Sequence, residues 1–362
     1  MVVLLDHILM ALKLCLRVQD IKVKQCSLQL VFIPVNSKSS CKVDSVLNAL
    51  DLYGLSLNTN QFHMLDLTVV IVNYRCWDML SKCLESLDKQ SLPIKKVVVA
   101  DNFSNDGVLP SFKEKFDWVH WAEEKINGGF SYGCNAGARL ADTEWILFLN
   151  PDTEIPANCF EGLLAHCEQQ PDYKLISIKQ IDSNGSDCYP YGIFPNAFNV
   201  LGPLRSLERS LFKRAQSKSV MSSASVGYPD WISGAFVLMR LEDYKKLGSW
   251  DEFFWMYYED IDLSKRAAQL GMKRVLLKNW HCIHNHGGAS RKNISTTILT
   301  KSEVIISSHK YIQKHLNGGA KLLAHCLIFT TNFLEYGLLS LFSKVKRGMF
   351  KKLLGYWFGA KT

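Results

Sequence analysis

Residues Trp255-Met256-Tyr257-Tyr258-Glu259-Asp260-Ile261-Asp262-Leu263 set three carboxylates within four positions, directly behind an aromatic cluster. Folding alone does not ask for that arrangement. Large side chains from Phe253 to Tyr258 would partly desolvate a carboxylate at the mouth of a helix and raise its basicity. Asp260 is therefore the candidate general base, a role typically worth about 10²–10⁴ in rate. Acidic residues in a first helical turn also serve simply as dipole complements. Asp262 and Arg266 stand at i,i+4 on the helix's outer face and read as a structural ion pair. Upstream, Leu149-Asn150-Pro151-Asp152 presents a single carboxylate; downstream, His281-Cys282-Ile283-His284-Asn285-His286-Gly287-Gly288 presents imidazoles beside glycines. Asp152 suits a divalent cation that takes most of its ligands from a nucleotide's phosphates, with His284 as a second protein contact. Gly287-Gly288 would let the backbone approach phosphate, with Ser290 as a further donor. Asn-Pro-Asp is equally a turn sequence. The histidines with Cys282 could instead hold zinc, although no Cys-x-x-Cys pair accompanies them. Together these groups point to metal-assisted group transfer from a nucleotide-activated donor.

The elements that must position them alternate between strand and helix. Thr68 to Val72, Val97 to Ala100 and Trp145 to Leu149 are continuous apolar runs, as in strands buried on both faces, and Trp118 to Trp121 reads as a further strand. Trp77 to Leu87 and Gly133 to Ala141 have helical spacing. The predicted fold is α/β, a Rossmann-like, mainly parallel central sheet with flanking helices and a helical C-terminal segment. Ligands of such sheets bind beyond the carboxyl ends of the strands, where Asn73, Asp101 and Asn150 to Asp152 fall. Asn127-Gly128-Gly129-Phe130, followed by Gly133, Asn135 and Gly137, forms a Gly-rich helix entry that lacks the G-x-G-x-x-G spacing. It would let backbone pass close to a sugar or diphosphate, although turn formation and helix packing also account for it. Residues 183–225 lose regularity and read as an insertion over the site, and Trp231 to Arg240 reads as one strand.

These pieces, in this order, resemble glycosyltransferase family 2, particularly its bacterial rhamnosyltransferase-like members. The matching segments are Val69 to Tyr74, Val99 to Gly107, Asn127 to Phe130, Leu149 to Asp152, Ser233 to Phe236 and Tyr258 to Leu263. The resemblance implies a GT-A fold, an inverting mechanism assisted by Mg²⁺ or Mn²⁺, and a nucleotide-sugar donor. By motif position, Asp101 would bind the base with Asn73 near it, and Asn127, Gly128, Gly129, Asn135 and Asn150 would line the donor site. Asp152 and His284 would hold the metal, and Asp260 would deprotonate the acceptor hydroxyl. Trp231, Gly234 and Glu259 would face the acceptor. Asn150 replaces the first Asp of the common Asp-x-Asp element, as in the rhamnosyltransferase-like branch. The resemblance favours dTDP-rhamnose, leaves UDP- and GDP-sugars open, and implies a lipid-linked glycan acceptor in surface polysaccharide biosynthesis. A catalytically silent GT-A protein that binds sugar nucleotides or scaffolds partners is the alternative.

The chain has 362 residues and a formal net charge of +8. Residues 301–362 hold nine Lys and one Arg against Glu303 and Glu335, which accounts for the whole surplus. Interleaved with Phe350, Leu353, Leu354, Tyr356 and Trp357, this tail suits a membrane surface better than nucleic acid. His325, Asn332 and Glu335 interrupt Leu322 to Phe342, so that stretch reads as lying on a bilayer rather than through it. The expected organisation is an unassigned extension over 1–63, with translation starting at Met64, a transferase domain over 64–292, and a basic segment over 293–362. The eleven cysteines lack paired spacing, which predicts free thiols in a reducing compartment, and the expected location is cytoplasmic, peripheral at the cytoplasmic face of the inner membrane.

Overall fold

The structure, a computed structural model, describes residues 64–197, 199–200, 225–285 and 293–359. The extension over 1–63, Gly287, Gly288 and Ser290 lie outside the described residues, as does much of the irregular stretch before residue 225.

From the N-terminal side the described elements are β1 (Leu65–Asn73), α1 (Trp77–Asp88), β2 (Ile94–Asp101), α2 (Leu109–Lys115), β3 (His120–Glu123), α3 (Phe130–Ala138) and β4 (Trp145–Leu149). Then come β5 (Thr153–Glu154), α4 (Cys159–Glu168), β6 (Tyr173–Ile181), and the short strands β7 (Asp187–Cys188), β8 (Tyr191–Gly192), β9 (Val226–Gly227) and β10 (Trp231–Ile232). Next are β11 (Phe236–Arg240), α5 (Leu241–Lys246), α6 (Glu259–Gln269) and β12 (Lys273–His284). Three long helices follow: α7 (Ile294–His315), α8 (Gly318–Leu339) and α9 (Lys344–Phe358).

The main sheet runs β3-β2-β1-β4-β11-β6-β12-β5. Pairings among β1, β2, β3 and β4, and between β6 and β12, are parallel; β11 and the short β5 run antiparallel to their neighbours. The mainly parallel α/β fold is thus present, with one reversed central strand that apolar content does not announce. Strand β1 shows why the sheet is closed on both faces. Leu67, Val69 and Ile71 join the core with Leu80 and Leu84 of α1, whereas Val70 and Val72 join Phe148, Val237 and Trp250 on the other side. Gly133 and Gly137 bring α3 onto that second face. A Cβ on either would stand 2.5 or 2.4 Å from Val72 or Val70, so the spacing serves close helix–sheet packing.

One expectation is corrected. The segment from Trp231 to Arg240 is broken at Ser233-Gly234-Ala235 into β10, which pairs with β8, and β11, which enters the main sheet. Strands β6 and β12 carry no continuous apolar run, and sequence reading passed them over; β12 mixes buried and open positions along its length. The described cysteines are free thiols, mostly buried.

Candidate active site

The parallel strands deliver their carboxyl ends to one edge. Asn73 at the end of β1 lies in register with Asp101 at the end of β2, and Asp101 with Glu123 of β3. Because β11 is reversed, its first residue Phe236 lies beside Leu149 at the end of β4, and the Asn150 N–H donates to Ala235 O at 3.0 Å. At the far side His284 lies beside Thr153. The sequence-identified polar groups therefore share one sheet edge.

Asp101 is buried. Its carboxylate accepts from Asn73 Nδ2 at 3.0 Å, from Ser104 Oγ at 2.5 Å and from the Ser104 N–H at 3.0 Å. A cavity of about 460 Å³ opens beside it, lined by Phe103, Asn105, Asp106, Gly107, Glu123 and Lys125 among others. Phe103 and Asn105 both adopt positive φ, so the turn beyond β2 is wound tightly around the carboxylate.

Sequence reading assigned no role to Asn102. Its side chain donates to Asn127 Oδ1 at 3.0 Å and to Gly129 O at 2.9 Å, and accepts from the Gly128 N–H at 3.2 Å. Asn102 thus fastens the Gly-rich loop to the end of β2. Gly129 sits at φ +92°, and a Cβ there would lie 2.0 Å from Trp255 O. Only glycine fits. Through that approach Phe130 N–H donates to Trp255 O at 2.8 Å, and the Trp255 indole to Asn127 O at 3.2 Å.

Asn135, expected to line the donor site, braces the loop before α6. Its amide donates to Trp250 O and Glu252 Oε1, and its oxygen accepts from Tyr244 Oη and the Trp250 N–H. The Trp231 indole N–H donates to Ile193 O at 2.9 Å, and its ring lies over Gly192, so that residue is built into the small β8–β10 sheet. Asn150 lies half-buried at the edge, and its carbonyl holds the turn to Thr153.

Asp152 and His284 are both buried and face each other, Oδ1 to Nε2, at 3.3 Å. His284 Nδ1 lies 2.8 Å from Gln180 Oε1. An Nδ1–H donated to that oxygen leaves the Nε2 lone pair directed at a carboxylate, and two lone pairs so close call for a proton or a cation between them. The donor set fits a divalent ion: adjacent ligands at bond lengths of about 2.1 Å stand roughly 3 Å apart. Among the described residues no group of three or more His, Cys, Asp or Glu gathers there.

Asp260 lies in the first turn of α6, half-buried. It accepts the Gly234 N–H on Oδ2 at 3.0 Å and the Ile261 N–H on Oδ1 at 2.8 Å. Burial raises its pKa above the ordinary aspartate value, and the amides of Gly234 and Ile261 partly counter this. Shielding comes from close by: a Cβ on Gly234 would touch the Phe130 ring at 3.3 Å and Asp260 Cβ at 3.6 Å. The aromatic run before the helix holds backbone instead, with Phe254 and Tyr258 packed against Tyr311 of α7.

Glu259, expected to face the acceptor, is the first residue of α6. It is buried, and its Oε2 has no hydrogen-bond partner among the described residues. Burial first, then the charge of Asp260, pushes its pKa well upward, favouring the neutral acid. Asp262 is likewise not on an outer face. Fully buried, it pairs with Arg266 at 2.8 Å, Lys314 at 2.6 Å and His315 at 2.7 Å, so the i,i+4 pair also anchors α7.

Residues 68–225 match the family described as Glycosyl transferase family 2. That span includes Asn73, Asp101 and Asp152; Asp260 and His284 lie beyond it. The chain is 24% identical over 289 residues to the N-acetylglucosaminyl-diphospho-decaprenol L-rhamnosyltransferase of Mycobacterium tuberculosis, covering 72% of this chain and 92% of the relative. To rhamnosyltransferase WbbL of Escherichia coli it is 27% identical over 228 residues, covering 60% and 82%. A solved structure of GalNAc-T7 with UDP, GalNAc and Mn²⁺ superposes on 76% of this chain with a TM-score of 0.48 at 16% identity; the chain spans 58% of that protein. The match starts inside β1 and runs past Asp152, and the relatives align over most of their own length, so over this span the chain is similar to the glycosyltransferases of family 2.

Proposed function

We propose that this protein transfers a sugar, rhamnose by preference, from a nucleotide-diphosphate donor to a lipid-linked glycan at the cytoplasmic face of a membrane. The carrying observation is the shared sheet edge, where Asp152 faces His284 and an amide-held Asp260 with raised basicity stands beside the same β4–β11 junction. Asp152 and His284 would hold Mg²⁺ or Mn²⁺, which when bound offsets charge on the departing diphosphate. Asp101, with the cavity beside it, would take the base, and the Asn127–Gly129 loop would pass its backbone along the donor. Asp260 would take the proton of the acceptor hydroxyl. The acceptor oxygen then bonds to the anomeric carbon as the bond to phosphate breaks, its electron pair leaving with the nucleoside diphosphate, and configuration inverts. Relatives named as rhamnosyltransferases, one of them for a diphospho-decaprenol glycan, support the donor and acceptor classes.

The cytoplasmic membrane placement draws on α8 and α9. Helix α8 is long and apolar enough to cross a membrane, and Leu322, Leu334, Leu338 and Phe342 on and after it are exposed beside the Lys and Arg residues of α9. We favour surface attachment, since His325, Asn332 and Glu335 interrupt the apolar stretch.

The test is Asp152→Ala. Transfer assayed with Mn²⁺ or Mg²⁺ should fall by at least about 100-fold, and Mn²⁺-dependent nucleotide binding, read by calorimetry, should be lost. Unchanged transfer by the wild type after chelation of all divalent ions would remove the metal from the account.

A further inference from the structure

Tyr257 and Tyr258 stand side by side in the left-handed region, at φ +67° and +68°, immediately before α6. Bulky residues persist there only where their surroundings over-determine the backbone, and such strain concentrates at functional sites. Two sides supply the constraint. On one, the Gly-rich loop holds Trp255 through Phe130 and Asn127. On the other lies α7. Ser307 Oγ donates to Met256 O at 2.9 Å, and Lys310 Nζ donates to Phe253 O at 2.6 Å. The Tyr311 ring packs 5.7 Å from that of Tyr258, and Lys314 bridges Asp251 and Asp262.

Ser307, Lys310, Tyr311 and Lys314 follow the i, i+3, i+4, i+7 spacing of one helix face. A face that served only to bury α7 would be apolar. This one is polar and aromatic, and it is spent on the carbonyls and carboxylates of the segment leading to Asp260. Ser307 is fully buried, and its acceptor, the Met256 carbonyl, directly precedes the two strained tyrosines.

We propose that Ser307 is a positioning residue for the base. Through the Met256 carbonyl it fixes the paired left-handed tyrosines, and they fix where Asp260 stands against the Gly234 amide. The inference rests on the transferase reading given above. It makes the C-terminal helix part of the active-site wall, although no residue of α7 touches the reacting atoms.

The experiment compares Ser307→Ala and Lys310→Met in the full-length protein, each alone and combined with Asp260→Asn. Lys310 is only half-buried, so its variant keeps the test decisive if Ser307→Ala melts early. Small misplacements of a catalytic group cost roughly tenfold to a hundredfold in rate. A fall of that size in kcat, with donor KM held within about twofold, is expected in both single variants. The pH at which the rate reaches its plateau should also shift. In the Asp260→Asn background Ser307→Ala should leave the residual rate unchanged, because its effect runs through Asp260. Wild-type kcat in both single variants would overturn the proposal. So would equal losses with and without the Asp260 carboxylate, which would mark a merely structural role. Absence of donor turnover by the wild type would instead defeat the transferase reading, and this inference with it.

Discussion

At Asp262 burial and pairing oppose each other, and pairing wins. Burial alone would raise the carboxyl; the His315 hydrogen bond, the Arg266 charge and Lys314 bring it down to about 2. A folded pKa below the ordinary aspartate value contributes stability above about pH 4, and that stability fades as pH falls toward 2. The shift corresponds to about 2 kcal/mol. Asp262→Ala also strands Arg266 and Lys314, so it should destabilise the protein by about 3–5 kcal/mol at pH 7. Denaturant titrations should show that penalty shrinking between pH 4 and pH 2.5; a constant penalty would contradict the pairing account. The burial of Asp262 was not legible in the sequence, because the Lys314 and His315 that cover it lie some fifty residues away. Asp152 and His284 were singled out from strand ends and short motifs, whereas their 3.3 Å approach depends on two strands that meet only in the sheet. The bonds of Asn135 to Tyr244 and Trp250 were not legible, because an Asn beside glycines looks the same in sequence whatever its amide meets.

Among the elements, β1, β2 and β4 were legible because both faces are buried and their apolar runs are unbroken. Strands β6 and β12 mix buried and open positions and escaped notice. The break at Ser233-Gly234-Ala235 could not be read from apolar content, since β10 and β11 are both apolar; it turns the Gly234 amide toward Asp260. Helices α7, α8 and α9 share a small core through Ile305, Ile312, Ala324, Ile328, Met349 and Leu353, and leave α8 mostly uncovered. If α8 and α9 form the membrane-facing surface, the protein should co-sediment with vesicles containing anionic phosphatidylglycerol. Basic residues near such a surface are worth about 1 kcal/mol each. Substituting Lys344, Lys346, Arg347 and Lys351 by Gln should therefore weaken binding by at least about 100-fold. Equal binding to purely zwitterionic vesicles would contradict the electrostatic part of the proposal.

Across the whole molecule, the parallel strands bring Asp101, Asp152 and His284 to one edge, the reversed β11 brings Gly234 beside Asn150, and α6 adds Asp260 there. The C-terminal helices then close behind α6 through Asp262. The central claim is that Asp260 removes the acceptor's proton in a sugar transfer. The most direct measurement is transfer to a lipid-linked acceptor from dTDP-rhamnose, UDP-sugars and GDP-sugars with Mn²⁺ or Mg²⁺, wild type against Asp260→Asn. The account predicts turnover of one donor that rises with pH through the elevated Asp260 pKa. In the variant it should fall by about 10²–10⁴ with donor affinity retained. Full activity in Asp260→Asn, or nucleotide binding without any transfer by the wild type, would contradict it.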